Sequence, residues 1–288
     1  MIALIGNNMK PTLTPEQHDS YQRDGFLVLE DFFDPSELEI LYADFNDVVE
    51  NWANIYYKQG RLTDLFANHP FERRLFSIHQ AMKGECHELL ADVSGKRKTA
   101  AMFHVMTMPE ILDLVEFLIG PEILVHPQFN SRAKLPDQRS VVSWHQDLGY
   151  LDKSAEETFM VNLWLPLVDA NIENGCLEVI SGSHNHGILP YNSGGPEDLV
   201  PESIPEGDVV SCPLQVGGLL MLQHKTVHRS TPNFSDHIRW SLDIRYSNPA
   251  LPTGRDHVPG FLARSLLEPN QVVKDHYDWL KMFADSRD

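Results

Sequence analysis

Three side chains carry the chemistry that this sequence suggests first. His145 and Asp147 stand two residues apart in Ser-Val-Val-Ser-Trp-His-Gln-Asp-Leu-Gly-Tyr, and β-branched residues lead into the pair. In an extended strand alternate side chains share a face, so an imidazole and a carboxylate emerge together and can grip one metal ion. A third ligand must come from elsewhere, and His228 in His-Lys-Thr-Val-His-Arg-Ser-Thr-Pro-Asn is the best candidate. Two imidazoles and one carboxylate suit a ferrous ion whose opposite face stays open to reactants.

The surrounding elements have to bring these residues together. Thr14-Pro15-Glu16-Gln17 combines a cap, a first-turn proline and a glutamine three residues on, which predicts a helix ending at Gly25. Phe26–Leu29 reads as a short buried strand. Asp34-Pro35-Ser36-Glu37 repeats the start signal before a run with Leu38, Leu41, Tyr42, Phe45 and Val48-Val49 at helical spacing. Residues 60–105 are the least legible, with a polar turn over 94–99 and a strand entry just after it. Met108–Leu118 predicts an amphipathic helix closed by Gly120-Pro121.

From about 122 the period changes to two. Strands are expected at 123–125, 128–130, 141–147, 159–167, 175–180, 208–214, 218–223 and 238–247, separated by turn chemistry at Asn174-Gly175, Ser181-Gly182-Ser183, Val216-Gly217-Gly218 and Pro232-Asn233. Helices first and short strands after indicate an α+β, mainly β fold with a sandwich or barrel at its centre. Residues 186–207 hold four prolines and four glycines with no period, the composition of a long loop of the kind that often forms a lid.

The bulk properties narrow the partners. A chain of 288 residues with 42% hydrophobic residues supports a sizeable core, and one domain over 1–288 is expected. A formal net charge of -18 repels nucleic acid and anionic membranes, so neither is expected as a partner. Cys86, Cys176 and Cys212 are dispersed and odd in number, which fits a reducing compartment. No apolar run approaches the ~20 residues of a membrane span. The first ten residues lack the pattern of a secretory signal, and the last five are no peroxisomal or retention address. The expected location is cytoplasmic, and oligomeric state is not legible.

Taken in order, His145-Gln146-Asp147-Leu148 with Tyr150, Asn174-Gly175-Cys176-Leu177, Ser181-Gly182-Ser183-His184, and His228 with Ser230 and Arg239 resemble the phytanoyl-CoA dioxygenase family over roughly residues 14–250. The resemblance implies a double-stranded β-helix (jelly roll, cupin-like) flanked by N-terminal helices, with residues 12–121 as helical support, 122–250 as the β-helix core and 251–288 as a C-terminal extension. It implies Fe(II) held by His145, Asp147 and His228, with 2-oxoglutarate as cosubstrate and O2 as oxidant. It also implies an arginine eleven residues after the last histidine to grip the far carboxylate, and Arg239 has that spacing. This spacing favours His228 over His224 as the ligand. Halogenases related to the family carry Gly or Ala at the carboxylate position, so Asp147 points to hydroxylation or another oxidation.

The residues support the same reading on their own. Arg239 lies on an apolar strand between Ile238 and Trp240 and needs an anion to justify burial. Ser230 shares a strand face with His228 and is placed to add a hydroxyl. Gln146, Trp164, Gln128 and Asn130 are further candidates for the cosubstrate or substrate shell, and Arg132 and Lys134 for the mouth. Arg245 stays open between a solvated strand residue and a second anion contact. Arg229 is expected at the surface, His184 and His186 in a structural turn, His237 on a loop, and Lys96-Arg97-Lys98 in a solvated basic turn. The pocket walls are expected from 55–105 and 186–207. The substrate class expected is a small polar metabolite. Two alternatives remain: a phytanoyl-CoA-type acyl-CoA hydroxylase, and a non-catalytic β-helix protein that binds metal or ligand. A cupin-like isomerase, or a dioxygenase without a cosubstrate, is a third, and would not need Arg239.

Overall fold

The computed structural model describes residues 13–136, 141–195, 197–255 and 257–285. The first ten residues, read above for a signal, and residues 286–288 of the C-terminus lie outside the described residues. Helix α1 (Pro15–Asp24) begins at the predicted capping box, with Gln17 N–H donating to the Thr14 hydroxyl and the Gln17 side chain accepting from Thr14 N–H. The Asp34 signal caps a short 3-10 turn over Pro35–Leu38, and α2 (Glu39–Lys58) follows directly. Three helices fill the stretch that was hard to read: α3 (Phe71–Ala81), α4 (His87–Asp92) and α5 (Ala100–Met106).

The strand entry expected after Thr99 is a helix start instead. The Thr99 hydroxyl accepts from Met102 N–H, Ala100 and Ala101 are strong helix formers, and Ala101, Met102, Val105 and Met106 form one buried face. Helix α6 (Pro109–Ile119) matches the expected segment.

The strands form two antiparallel sheets. In the larger, β1 (Phe26–Leu29), β2 (Ile123–Val125), β3 (Asn130–Lys134), β5 (Met160–Pro166), β8 (Leu219–Gln223), β10 (Arg239–Ser247) and β11 (Phe261–Arg264) run in the order β1-β8-β5-β10-β2-β11, with β3 also paired to β10. The smaller sheet joins β4 (Val142–His145), β6 (Leu177–Ile180), β7 (Val209–Cys212) and β9 (His228–Ser230) in the order β4-β9-β6-β7. This is the expected jelly roll with N-terminal helices.

Its sheet is wider than the 122–250 core. β1 pairs with β8 at one edge and β11 with β2 at the other, because both are apolar strands that complete edges otherwise left with unpaired backbone groups. The extension also carries α7 (His276–Asp285), whose Trp279 packs on Phe103, Phe129 and Phe261. Among the described residues no helix is long and apolar enough to cross a membrane.

Period-two alternation divides the large sheet into two faces. Val161, Leu163 and Leu165 of β5, Leu219 and Met221 of β8, and Trp240, Leu242, Ile244 and Tyr246 of β10 join the core beneath the helices. The opposite face meets the small sheet through Trp164, Leu220 and Leu222, packed on Leu177, Val179 and Cys212. On β10 that inner face is polar: Arg239, Ser241, Asp243 and Arg245. One strand therefore anchors the helical layer with one set of side chains and lines the inter-sheet space with the other.

Trp240 is fully buried, stacked on Phe71 with centroids 4.9 Å apart and 5.0 Å from Phe45. It clamps α2 and α3 to the strand that begins with Arg239. Trp240→Ala should destabilise the protein by about 3–5 kcal/mol, read as a lower urea midpoint. An unchanged midpoint would show that the helical layer is held by other contacts.

Candidate metal centre

The small sheet positions the two histidines. In the β4–β9 pairing His145 lies directly opposite His228, and their ring centroids are 4.2 Å apart. Each ring is oriented in the same way. His145 Nδ1 is 2.8 Å from Ser143 O, and His228 Nδ1 is 3.0 Å from Thr226 O. A carbonyl can only accept, so both Nδ1 atoms carry the proton and both Nε2 lone pairs face the cavity. Burial, with the neighbouring His228, pushes the His145 pKa down to about 3. Its ring is therefore neutral, the form that ligates metal.

The expected strand 141–147 ends at His145, and Asp147 opens a 3-10 turn. Gln146 stays extended (φ −116°, ψ 137°), so the alternation that sets His145 and Asp147 on one side still holds. Asp147 accepts from Arg245 through Oδ1 and from Asn162 at 2.5 Å through Oδ2. Burial alone would raise its pKa, but Arg245, His228 and His145 outweigh that and hold the carboxyl well below the usual range. One donor atom from each of His145, Asp147 and His228 lies within 4.8 Å of the others, about the span that one ion with ~2.1 Å bonds can bridge. His224 is not part of this group. Its ring lies against Phe159 and its Nδ1 accepts from Met160 N–H at 3.4 Å.

Beside the cluster is a cavity of about 270 Å³. Arg239 lies in its wall, 2% exposed. It donates to Ser241 Oγ at 2.7 Å and sits over the Trp164 ring at 5.2 Å, while its Nε has no hydrogen-bond partner. Burial lowers its pKa to about 10, so it remains charged at neutral pH. Among the described residues it has no carboxylate partner. A buried guanidinium in that state fits an anionic ligand. Ser230 also lines the cavity; its Oγ accepts from Lys134 at 3.1 Å and from Val142 N–H at 3.0 Å, which leaves its own proton to donate.

Comparison with known proteins agrees with this geometry. Residues 21–241 match the family described as Phytanoyl-CoA dioxygenase (PhyH). The chain belongs to the phytanoyl-CoA dioxygenase family. It is 29% identical over 257 residues to phytanoyl-CoA dioxygenase domain-containing protein 1 of Rattus norvegicus, covering 79% of this chain and 87% of the relative. Among solved structures, the non-heme monooxygenase ThoJ has a TM-score of 0.64 at 20% identity over 93% of each chain. EctD from S. alaskensis, solved with 2-oxoglutarate and 5-hydroxyectoine, has a TM-score of 0.59 at 17% identity, covering 84% of this chain and 79% of that one. These structural likenesses establish the fold. Membership of the phytanoyl-CoA dioxygenase family gives the reaction class, non-haem iron oxygenation with 2-oxoglutarate.

The family motifs between the ligands have structural work. Ser183 Oγ accepts from Val227 N–H at 2.8 Å, and Gly182 N–H donates to Asp24 O at 2.8 Å. The Ser-Gly-Ser turn thus fastens the start of β9 to α1, and His184, expected to be structural, contacts Gln22 O at 3.1 Å. At Gly175 (φ +86°) a Cβ would lie 2.5 Å from Thr231 O and 2.8 Å from Lys134 Cε. Only glycine lets this turn close over the end of β9.

Other expectations need correction. Gln146 does not face the cavity: its Nε2 donates to Gly187 O and Lys225 O at 2.8 and 2.7 Å, and its Oε1 accepts from Leu189 N–H at 2.8 Å. Alternation predicts this, since Gln146 stands between two inward residues. Gln128 is not among the cavity-lining residues, whereas Trp164, Asn130, Arg132 and Lys134 are. Arg229 is at the surface as expected, where it pairs with Glu178 and lies over Trp144. His237 is on a loop as expected, where it contacts Asp236 and Asn174. The basic turn is not simply solvated, because Arg97 pairs with Asp44 at 2.6 Å and Lys98 sits over Phe283. Of the two stretches expected as walls, 55–105 contributes Ser94 and Gly95, and the described residues of 186–207 contribute none. The latter instead approaches from outside, with Glu197 accepting from the Tyr150 hydroxyl at 2.8 Å.

Arg245 resolves to a buried residue holding Asp147. Its signal was its place six residues after Arg239, on the same strand face. Asn162 was missed altogether, a lone amide within a fully buried run.

Gln146→Leu should lower the urea midpoint, because it leaves the buried Leu189 N–H unpaired at about 1–3 kcal/mol, together with the part-buried Gly187 and Lys225 carbonyls. It should disturb 2-oxoglutarate affinity far less than loss of Arg239; the reverse ranking would put Gln146 back at the cosubstrate. His126 accepts from Gln128 N–H at 3.1 Å through Nδ1 and contacts Thr253 O at 2.8 Å through Nε2, an arrangement only the neutral ring satisfies. Burial, with Arg245 and Lys96 nearby, lowers its pKa from 6.5 to about 4. Between those values the unfolded chain binds a proton that the folded one refuses, so stability should fall as pH drops from 6.5 towards 4. His126→Gln should flatten that slope, and identical slopes would show that His126 titrates normally.

Proposed function

We propose that His145, Asp147 and His228 hold Fe(II), that Arg239 binds the far carboxylate of 2-oxoglutarate, and that the protein oxidises a small molecule with formation of succinate and CO2. The observation that carries this reading is the buried Arg239 guanidinium, which has no carboxylate partner among the described residues, beside three convergent donors. A simple metal-binding protein, a cupin-like isomerase or a dioxygenase without cosubstrate has no use for that cation.

Bound iron, with 2-oxoglutarate and O2, supplies the oxidising power to break a substrate C–H bond. The chain's part is positional and electrostatic. Ser143 and Thr226 carbonyls keep the Nε2 lone pairs of both imidazoles inward. Arg245 and Asn162 fix the Asp147 carboxylate and keep it ionised. Arg239, with Trp164 across its face and almost fully buried, offers an anion site where a carboxylate is bound strongly. Ser230 is placed to add one hydroxyl donor. The presence of Asp147 favours hydroxylation or a related oxidation over halogenation. Three free, buried cysteines fit a reducing, cytoplasmic setting.

His145→Ala or Asp147→Ala should abolish Fe(II)-dependent succinate formation from 2-oxoglutarate; undiminished turnover in either variant would contradict the ligand assignment. Arg239→Ala should raise the 2-oxoglutarate requirement roughly ten- to a hundredfold, from about 1.5–3 kcal/mol of charge-assisted binding. An unchanged requirement would place the anchor elsewhere.

A further inference from the structure

One ion pair in the cavity wall is used neither by the metal centre nor by the cosubstrate anchor. Arg132 of β3 and Asp243 of β10 stand on paired strands, where Arg132 lies opposite Ser241 and Asp243 opposite Asn130. This diagonal placement is within reach of a long side chain, and Arg132 Nε donates to Asp243 Oδ2 at 2.5 Å. Both residues line the same cavity as His145, Asp147 and His228. Asp243 lies four residues beyond Arg239 on the inner face of β10, about 13 Å along the strand at ~3.3 Å per residue.

Both members of the pair keep an open edge. Their side chains are 42% and 20% exposed, whereas Arg239 and Arg245 are buried. Among the described residues the other N–H groups of the Arg132 guanidinium have no acceptor, and Asp243 Oδ1 has no donor. The remaining charges of the wall are engaged: Arg245 holds Asp147, and Lys134 donates to Ser230.

The charge pattern selects the ligand. The pair is net neutral, so an anion drawn to Arg132 also meets the Asp243 carboxylate, and a cation drawn to Asp243 also meets the guanidinium. A molecule with both charges close together lays its anion on Arg132 and its cation on Asp243, and the four charges then alternate in sign. Each of its groups gains a charge-assisted hydrogen bond. The cavity of about 270 Å³ is at the small end of ligand pockets, which hold roughly 300–1,000 Å³, and 2-oxoglutarate takes part of it.

We propose that the substrate is a free α-amino acid, with its carboxylate held by Arg132 and its ammonium group by Asp243. The inference rests on the function proposed above and names the substrate class of that site. In an α-amino acid one carbon separates the two charged groups, which matches two wall charges in direct contact.

Saturation-transfer NMR on the Zn(II)- and 2-oxoglutarate-loaded protein tests this with L-alanine, propionate and ethylammonium, offered separately. L-Alanine should bind saturably. Propionate lacks the ammonium group and ethylammonium lacks the carboxylate, so each should bind at least about tenfold more weakly, the loss of one hydrogen bond to a charged group. Asp243→Asn should abolish the preference for L-alanine over propionate, and Arg132→Gln the preference over ethylammonium. A change in packing alone would not produce these two opposite losses. The affinity for 2-oxoglutarate should stay within about twofold in both variants, because Arg239 is untouched and distant sites act independently. The wild-type ranking decides by itself if either variant fails to fold. No saturable binding of L-alanine, equal binding of L-alanine and propionate, or an unchanged ranking in both variants overturns the assignment. Failure of 2-oxoglutarate to bind the Zn(II) protein would instead overturn the proposed function, and this substrate class with it.

Discussion

The pairing of β4 with β9 is the contact on which the metal centre depends. It sets His145 opposite His228, and the carbonyl two residues before each histidine then fixes the ring. The two orientations are the same because the two local geometries are the same. Neither imidazole needs a side-chain partner to choose its tautomer. What remains is to bring a carboxylate within reach, and one further extended residue, Gln146, does so. Its amide is tied to three backbone groups of neighbouring loops, so the step from strand to 3-10 turn is rigid.

Charge is distributed around this centre in a definite order. Asp147 is held by Arg245, and Arg132 is paired with Asp243. Arg239 has no carboxylate partner among the described residues. All of these except Asp147 and Arg132 come from one face of β10, whose other face buries Trp240, Leu242 and Ile244 against the helices. The apolar side supplies the stability that lets the opposite side carry buried, partly uncompensated cations. Helical packing and chemistry are thus two faces of one nine-residue strand.

Much of this was legible in the sequence because it depends on short-range rules. The His-x-Asp alternation, the Thr14 capping box and the period-two runs of β5, β8 and β10 are local properties. The resemblance supplied what locality cannot, the link from 145 and 147 to 228 and 239. The misreadings share a different cause. Thr99 can cap a helix or enter a strand, and buried neighbours decide which. Gln146 was assigned by proximity in sequence although alternation turns it away from the cavity. Lys96, Arg97 and Lys98 read as one solvated turn, yet Lys96 is half-buried, Arg97 pairs with Asp44 and Lys98 lies over Phe283, contacts set by residues distant in the chain. β11 and α7 went unread because their burial depends on edges and aromatic partners from other segments.

The most direct test of the metal centre is a crystal structure of the anaerobic Fe(II) protein with 2-oxoglutarate, with anomalous scattering measured at the iron edge. The account predicts one iron peak in bonding contact with His145 Nε2, His228 Nε2 and the Asp147 carboxylate, and a 2-oxoglutarate carboxylate against the Arg239 guanidinium. An iron peak coordinated by other side chains, or 2-oxoglutarate bound away from Arg239, would contradict it.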